Sequence, residues 1–183
     1  MKLFVKAVSA LAALAALAGP VAAGSVAVGK KLEVNVDPKK MDEEKTRLWK
    51  QFGGWCAIKD WHPAIAACEE SKEGDIQFRT LTLKDGGKIK EKLLEMTEGR
   101  YKYEIIESPL PVKNYQAQFA LTPDDDDIDE INFAWSAVFD PEGKTDKEAR
   151  AVIEGIFKAG MDNIKTMTSA GKADNDDEKE NKK

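Results

Sequence analysis

The sequence is poor in the residues that metal sites and many enzymes need. It has one histidine, His62, and two cysteines, which excludes a histidine-rich metal site and a mechanism that uses two histidines. It also has no Cys-x-x-Cys pair, no glycine-rich phosphate loop and no Ser/His/Asp set. The aspartates at 124–127 lack the ligand spacing and the glycine of a calcium loop. We therefore predict no catalytic residue set, no metal and no cofactor.

Clustered positive charge is also missing. Lysine and arginine are interleaved with a larger number of acidic residues, and the net charge is −5. A nucleic-acid-binding domain needs basic residues that are grouped on one surface. We therefore exclude nucleic acid as a partner.

Residues 1–23 have the pattern of an export signal. Lys2 and Lys6 precede an Ala/Leu-rich stretch at 7–18, which is short for a membrane span and is followed by small residues before Gly24. We predict cleavage before Gly24, a periplasmic or secreted protein, and no membrane span in the mature chain. An uncleaved amino-terminal anchor is the alternative.

Cys56 and Cys68 are the two cysteines. In an oxidising compartment they can form one disulfide, and closing a loop of this length would contribute about 3 kcal/mol. Bonding requires that their Cα atoms lie within about 7 Å of each other. The alternative is a pair of buried free thiols, and the sequence leaves both open.

The chain after the signal predicts one α+β domain at 24–170, followed by a charged, disordered tail at 171–183. Helical spacing predicts helices at 41–52 and 55–61, and Thr145 with Glu148 forms a capping box for a long last helix that ends near Gly171. Period-two alternation predicts an antiparallel meander after the first strand. The seven strands are predicted at 32–36, 67–71, 76–84, 88–96, 101–107, 115–122 and 131–139.

This order of elements and several short motifs point to a known family. The motifs are Phe52-Gly53-Gly54-Trp55, Trp61-His62-Pro63, Arg79-Thr80-Leu81-Thr82-Leu83, Glu91-Lys92-Leu93, Pro109-Leu110-Pro111-Val112, Asn114-Tyr115 and Ala149-Arg150. From about Leu32 to Met167 the chain resembles the START-like (SRPBCC) superfamily. It is most similar to the polyketide cyclase and lipid-transport branch, which includes periplasmic accessory proteins of bacterial methanol oxidation. Plant hormone receptors of similar fold are more distant.

The resemblance implies a helix-grip fold: a curled seven-stranded antiparallel sheet around a long carboxy-terminal helix, with a hydrophobic ligand held between them. It implies no single reaction, because few members share one. One departure is the charged segment 39–46, which is shorter and more apolar in such proteins, so the register of the first helix is open there.

Strand alternation places Arg79, Leu81 and Leu83 on one side of a strand, and Glu91 on the corresponding side of the next. Arg79 and Glu91 can therefore both point inward, where a charge needs a partner or a ligand group. In the resembling receptors an acid at the Glu91 position faces the cavity. The alternative is an ordinary salt bridge or a residue at the rim.

His62 falls where the receptors place a basic residue that contacts the ligand, and it suits polar recognition or proton transfer. The alternative is a structural histidine bonded to a backbone carbonyl. Gly155 and Gly160 inside the long helix favour a cavity over a solid core, because glycine in a helix is unfavourable without a packing reason. The predicted ligand-binding residues are Trp61, His62, Arg79, Leu81, Glu91, Tyr103, Tyr115, Phe119, Trp135, Phe157, Gly160 and Met161.

Three functions are consistent with these features of the sequence. The first is an exported carrier or sensor of an apolar or amphipathic small molecule, with a mouth near 85–88 and 108–112. The second, implied by the resemblance, is an accessory protein that docks on a periplasmic partner of a methanol-oxidation type of system. The third is a cyclase or dehydratase with His62 and Glu91 as acid and base.

Overall fold

The structure is a computed structural model that describes residues 24–180, with side chains described as far as residue 169. The predicted export signal at 1–23 therefore lies outside the described residues. Within residues 24–180, seven strands and three α-helices follow one another, and a short 3-10 helix, Pro38–Lys40, precedes the first α-helix. Their bounds are β1 Val26–Asn35, α1 Met41–Phe52, α2 Ile58–Trp61, β2 Ile65–Glu73, β3 Ile76–Leu83, β4 Lys88–Thr97, β5 Arg100–Glu107, β6 Val112–Pro123, β7 Glu130–Pro141 and α3 Asp146–Glu180.

The strands form one antiparallel sheet in the order β1-β7-β6-β5-β4-β3-β2. Strands β2 to β7 are neighbours in the order in which they occur, because short turns and loops join them. The first strand pairs with β7 from Val26 to Asn35, so it begins earlier than the predicted Leu32. The predicted α+β class and the antiparallel meander are confirmed.

The core lies between one face of the sheet and the apolar side of α3. The helix begins with the predicted capping box: the Thr145 N–H donates to the Glu148 carboxylate at 3.0 Å, and the Glu148 N–H donates to the Thr145 hydroxyl at 3.3 Å. Its buried residues recur at three- and four-residue spacing, which gives the helix a single apolar face. The buried hydrophobic ones are Ala149, Ile153, Phe157, Met161 and Ile164.

The helix α3 is longer than the sequence predicted. It continues to Glu180 and so passes the predicted end near Gly171. Lysine, glutamate and alanine favour the helical backbone and together make up five of the ten residues at 171–180, so the loss of apolar residues does not by itself end the helix. The predicted division of the chain at residue 170 stays a prediction.

The helices α1 and α2 pack on β6 and β2, respectively. Leu48 and Phe52 of α1 are completely buried, and the Phe52 ring meets the Phe133 ring edge-on at 5.5 Å between centroids. The segment whose register was open is the 3-10 helix followed by the first turns of α1, and α1 begins at Met41 as predicted.

A disulfide joins Cys56, just before α2, to Cys68 on β2, and their Cα atoms are 5.6 Å apart. Of the two states that the sequence left open, the structure has the bonded one. The bond closes a short loop that contains all of α2 and so fixes this helix to the edge strand of the sheet.

Removing the disulfide is expected to lower stability. The double variant Cys56→Ala, Cys68→Ala should lose about 3 kcal/mol of unfolding free energy, because the unfolded chain regains the entropy of an open loop. Urea unfolding followed by tryptophan fluorescence measures this loss. The wild type in reductant is the control, and an unchanged midpoint in both samples would contradict the bond.

Candidate functional site

His62 joins the end of α2 to α3. Its Nδ1 accepts a hydrogen bond from the Ala64 backbone N–H at 3.2 Å, so this nitrogen carries no proton. Nε2 therefore holds the proton and donates it to the Ile156 carbonyl at 3.0 Å. Burial lowers the pKa of the ring, although the bond to Ile156 opposes this. His62 is thus neutral and has the hydrogen bonds of a structural histidine.

The helix α3 approaches α2 closely at Gly160. A Cβ atom at this position would lie 2.8 Å from Cδ2 of His62, 2.9 Å from Cζ3 of Trp61 and 3.0 Å from Cζ3 of Trp135. One turn later, Nδ2 of Asn163 donates to the Trp61 carbonyl at 2.7 Å. Gly160 is therefore a packing residue that lets the helix come down onto two tryptophans.

Aromatic rings fill much of the interior at this level. Trp61 stacks on Phe119 with 5.4 Å between centroids, and Trp135 stacks on Phe157 at 4.3 Å. Nε1 of Trp135 donates to the Tyr103 hydroxyl at 3.0 Å, so the indole is held at both its face and its edge. These contacts fill the interior around Trp61 and Phe119, which do not line the cavity described below.

Arg79 and Glu91 lie directly opposite each other on β3 and β4. Nε of Arg79 donates to Oε2 of Glu91 at 2.5 Å, and Nη1 donates to the Trp55 carbonyl. The guanidinium carbon is 3.8 Å from the centre of the Trp55 ring, a cation–π contact. Arg79 is 0% exposed and Glu91 is 4% exposed, so the two predicted charges meet inside the protein.

The electrostatics of this pair are set by burial and by mutual attraction. Burial raises the pKa of the Glu91 carboxyl above its ordinary value, and the Arg79 guanidinium limits the rise. Burial acts to lower the pKa of Arg79, but the Glu91 charge and the nearby tyrosines raise it. Among the described residues, Glu91 is the carboxylate within salt-bridge distance of Arg79. The buried guanidinium therefore needs the negative charge of Glu91, and we infer that both side chains are ionised.

A cavity of about 100 Å³ lies beneath the first half of α3. Side chains from β3, β4 and β5 reach the same cavity as side chains from α2 and α3, so the sheet wraps around it. Seven of the predicted ligand-binding residues are in its wall: His62, Leu81, Glu91, Tyr103, Tyr115, Trp135 and Phe157. Five are not: Trp61, Arg79, Phe119, Gly160 and Met161.

The residues outside the wall have other roles. Trp61 and Phe119 stack in the solid core, Arg79 lies behind Glu91 and is bonded to it, and Gly160 packs against Trp61. Met161 is buried on the apolar face of α3. Strand parity and helix spacing report only which face a residue occupies, so they could not separate the cavity wall from the core behind it.

Nine residues of the wall were not predicted. Leu83, Ile89 and Ile105 share a strand face with predicted residues, and Ile153 and Ile156 lie on the apolar side of α3, so parity and spacing could have found them. The other four come from the short helix α2, from the turn between α2 and β2 with the first residue of β2, and from the loop after β5, which are too short for a periodic pattern. They are Ile58, Ala64, Ile65 and Leu110.

The hydroxyls of Tyr103 and Tyr115 are buried in this region. Burial raises the pKa of Tyr103 well above its ordinary value, and it raises that of Tyr115 as well, against the hydrogen bond from Tyr103. Both phenols are therefore protonated at neutral pH. The polar groups of the wall are these two phenols, the neutral His62 and the Glu91 carboxylate.

The aspartate-rich turn after β6 is internally bonded. Asp124 accepts hydrogen bonds from the Asn132 side chain and from the backbone N–H groups of Asp126 and Asp127, and the pKa of Asp124 falls to about 2. Within the described residues, no group of three or more His, Cys, Asp or Glu side chains is arranged to hold a metal ion. None of the helices in this part of the chain has the length and apolarity of a membrane span.

A curved antiparallel sheet that wraps around a long carboxy-terminal helix defines the chain as a helix-grip domain. Residues 44–167 match the family model described as polyketide cyclase / dehydrase and lipid transport. The chain belongs to this family, which confirms the resemblance read from the motifs.

Solved structures of similar fold support the same architecture. The protein XoxI from Bacillus cereus is 24% identical with a TM-score of 0.67, and the alignment covers 78% of this chain and 95% of XoxI. A protein from Thermobifida fusca is 23% identical, with a TM-score of 0.65 and coverage of 79% and 93%. The ZhuI aromatase/cyclase from Streptomyces sp. R1128 is 13% identical, with a TM-score of 0.58 and coverage of 79% and 94%. No curated protein sequence matches the chain.

The two glycines of α3 should respond to alanine in opposite directions. Gly155→Ala should stabilise the protein by about 1 kcal/mol, because alanine favours the helix and a Cβ there has no atom within 4 Å. Gly160→Ala should destabilise it, because the new methyl group meets Trp61 and His62. Packing does not require a glycine at position 155, so the interpretation of Gly155 as a sign of a cavity was wrong. Urea unfolding of both variants checks this, and equal effects would contradict the close approach at Gly160.

The buried pair should be sensitive to loss of one charge. Glu91→Gln is expected to cost about 3 to 5 kcal/mol, because it leaves the Arg79 guanidinium buried without a counter-charge. The double variant Arg79→Met, Glu91→Leu removes both charges and should recover most of this loss. Unfolding free energies in urea measure both. A neutral effect of Glu91→Gln would mean that the carboxyl is already protonated in the folded protein.

Proposed function

We propose that this chain is an exported binding protein for a compact apolar molecule that carries one hydrogen-bond donor. The observation that carries the proposal is an apolar cavity with the Glu91 carboxylate in its wall. Ligand sites combine an apolar lining with a small number of placed polar groups. Membership of a family described by cyclisation and lipid transport supports the same kind of site.

The size of the cavity limits the ligand. About 100 Å³ is well below the roughly 300 to 1,000 Å³ of sites for drug-sized molecules. It is closer to the engineered apolar cavity of about 150 Å³ that binds benzene. The ligand class is therefore a single ring or a short branched chain, and a long lipid would require α3 to move away from the sheet.

The free hydrogen-bonding capacity of the wall sets the polarity of the ligand. Both nitrogens of His62 are bonded to backbone groups, and the Tyr103 hydroxyl accepts from Trp135. A carboxylate has about four lone-pair sites, and Arg79 Nε bonds one oxygen of Glu91. Glu91 thus favours a hydroxyl or an ammonium group at one end of the molecule.

The periplasmic or secreted location is part of the proposal. The export-signal pattern of residues 1–23 supports it, and so does the disulfide between Cys56 and Cys68, because such bonds persist in oxidising compartments. Mass spectrometry of the exported protein tests this, since a chain that keeps Met1 would contradict cleavage.

An accessory protein of a periplasmic oxidation system is the second candidate. The small volume of the cavity favours it, since docking through the surface needs no internal space. The similarity in fold to the protein named XoxI fits the same reading. A stable complex with one periplasmic partner that is unaffected by filling the cavity would support this function over the carrier.

Phenol binding should depend on free space at Ile105. The variant Ile105→Trp places a large ring in the cavity wall and should abolish binding, whereas Ile106→Trp should leave it unchanged, because Ile106 is not in this wall and is 45% exposed. Titration with phenol, followed by proton–nitrogen NMR spectra, measures both. Benzene is the control ligand and should bind more weakly, because it offers no donor to Glu91.

Two results would contradict the proposed function. One is the absence of any shift with phenol, benzene and indole in the wild type. The other is equal phenol binding by the two tryptophan variants, which would place the bound molecule outside the cavity.

A further inference from the structure

The pairing between β5 and β6 ends inside both strands. The last pair of their ladder is Glu104 with Gln116, whereas β5 continues to Glu107 and β6 already begins at Val112. The two strands therefore diverge before the loop at 108–111 joins them. A gap in the hydrogen-bonded sheet results at this end.

The strand β5 bulges at the level of the gap. Against β4, Glu107 pairs with Lys90 and Ile105 pairs with Glu91, which leaves Ile106 as an extra residue. A bulge bends its strand and increases the local twist. The end of β5 is thereby directed away from the line of its ladder with β6.

The strand β6 bulges at the same level but on its other side. Asn114 and Tyr115 together oppose the single residue Phe139 of β7. Asn114 has a φ of 50°, in the left-handed region that asparagine tolerates better than most residues, and its amide donates to the Asp140 carboxylate at 2.8 Å. At this level β5 pairs with β4 and β6 pairs with β7, and each of these ladders contains a bulge. Bulges are specific features of a sheet and not defects, so the gap between β5 and β6 is part of the fold.

An external groove of about 670 Å³ lies at this gap. Ile105 and Tyr115 line the groove, and they also line the internal cavity. The Tyr115 ring is 4% exposed and lies between the rings of Tyr103 and Phe139, at 6.1 Å and 6.0 Å between centroids. Two side chains therefore separate the cavity from the outer face of the sheet.

At the predicted mouth, the turn after β3 lies near the loop after β5. A Cβ at Gly87, in the turn after β3, would lie 3.6 Å from Cγ of Pro109 in the loop after β5. Widening this end requires that two backbone segments separate. Opening the gap requires only that side chains rotate, since the ladder between the strands is already interrupted.

We propose that the gap between β5 and β6 is a side portal to the internal cavity, and that Tyr115 and Ile105 are the side chains that close it. Its value to the protein rests on the proposed binding function, because a portal serves a cavity that exchanges its contents. The molecules that pass are the small apolar ones that the cavity can hold. The existence of the route, however, can be measured without the natural ligand.

The experiment measures access of a small reagent to the cavity. Ile153→Cys places a thiol in the cavity wall, and both native cysteines are bonded to each other. The probe is methyl methanethiosulfonate, which is small and uncharged. In the Ile153→Cys background, Tyr115→Ala should raise the labelling rate about tenfold without dependence on low concentrations of urea, as expected for local rather than global opening. Ile105→Ala should act in the same direction with a smaller loss of stability.

Two control variants test whether faster labelling has a cause other than the portal. One tests loss of stability, and the other tests opening at the end of the domain. Phe139→Ala removes the ring that packs on Tyr115 but lines neither space, and it should accelerate labelling much less. Leu110→Ala loosens the loop at 108–111 and should also have the smaller effect. The proposal is overturned if either control accelerates labelling as much as Tyr115→Ala, or if the acceleration appears only with urea. Phenol that binds while Tyr115→Ala leaves the labelling rate unchanged would overturn the portal alone, and fast labelling without phenol binding would overturn the binding function alone.

Discussion

The contact of α3 with Trp61 and His62 at Gly160 determines how much space remains beneath the long helix. Because glycine lacks a Cβ, the helix lies directly on the two aromatic side chains, and Asn163 fixes the same contact by a bond to the backbone. The helix therefore covers a solid core around Gly160. The cavity is left nearer the start of the helix, next to Ile153 and Ile156.

The same contact helps to explain the small volume of the cavity. The seven-stranded sheet could enclose a larger space, but tryptophan and phenylalanine rings take up the volume at the level of Trp135 and Phe157. The charged pair acts in the remaining part: Arg79, held by the Trp55 carbonyl and ring, fixes Glu91 in the wall. Buried ion pairs add little net stability, so the gain here is a carboxylate at a defined place in an apolar space.

Local patterns in the sequence predicted the secondary structure well and the site in part. Alternation and turn residues were sufficient for the meander from β2 to β7 but not for the position of β1 beside β7, and the Thr145 box marked the start of α3. Parity predicted that Arg79 and Glu91 can both point inward, and it left open whether they pair with each other or with a ligand group. Parity could not predict that Trp61 belongs to the core and not to the wall, because that depends on how closely α3 approaches α2. Nor could it predict Ile65, which enters the cavity at a corner without any repeat.

The hydrogen bonds of His62 argue against the enzyme alternative, in which this ring is an acid or a base. A general acid or base must exchange a proton with the substrate, but Nδ1 of His62 accepts from Ala64 and Nε2 donates to Ile156. Proton transfer by this ring would break a bond that holds α2 to α3. Glu91 is similarly occupied on one oxygen by Arg79. His62 is thus used to hold α2 to α3, and a reaction in this cavity would have to rely on the second oxygen of Glu91 and on the two buried tyrosines instead of the histidine.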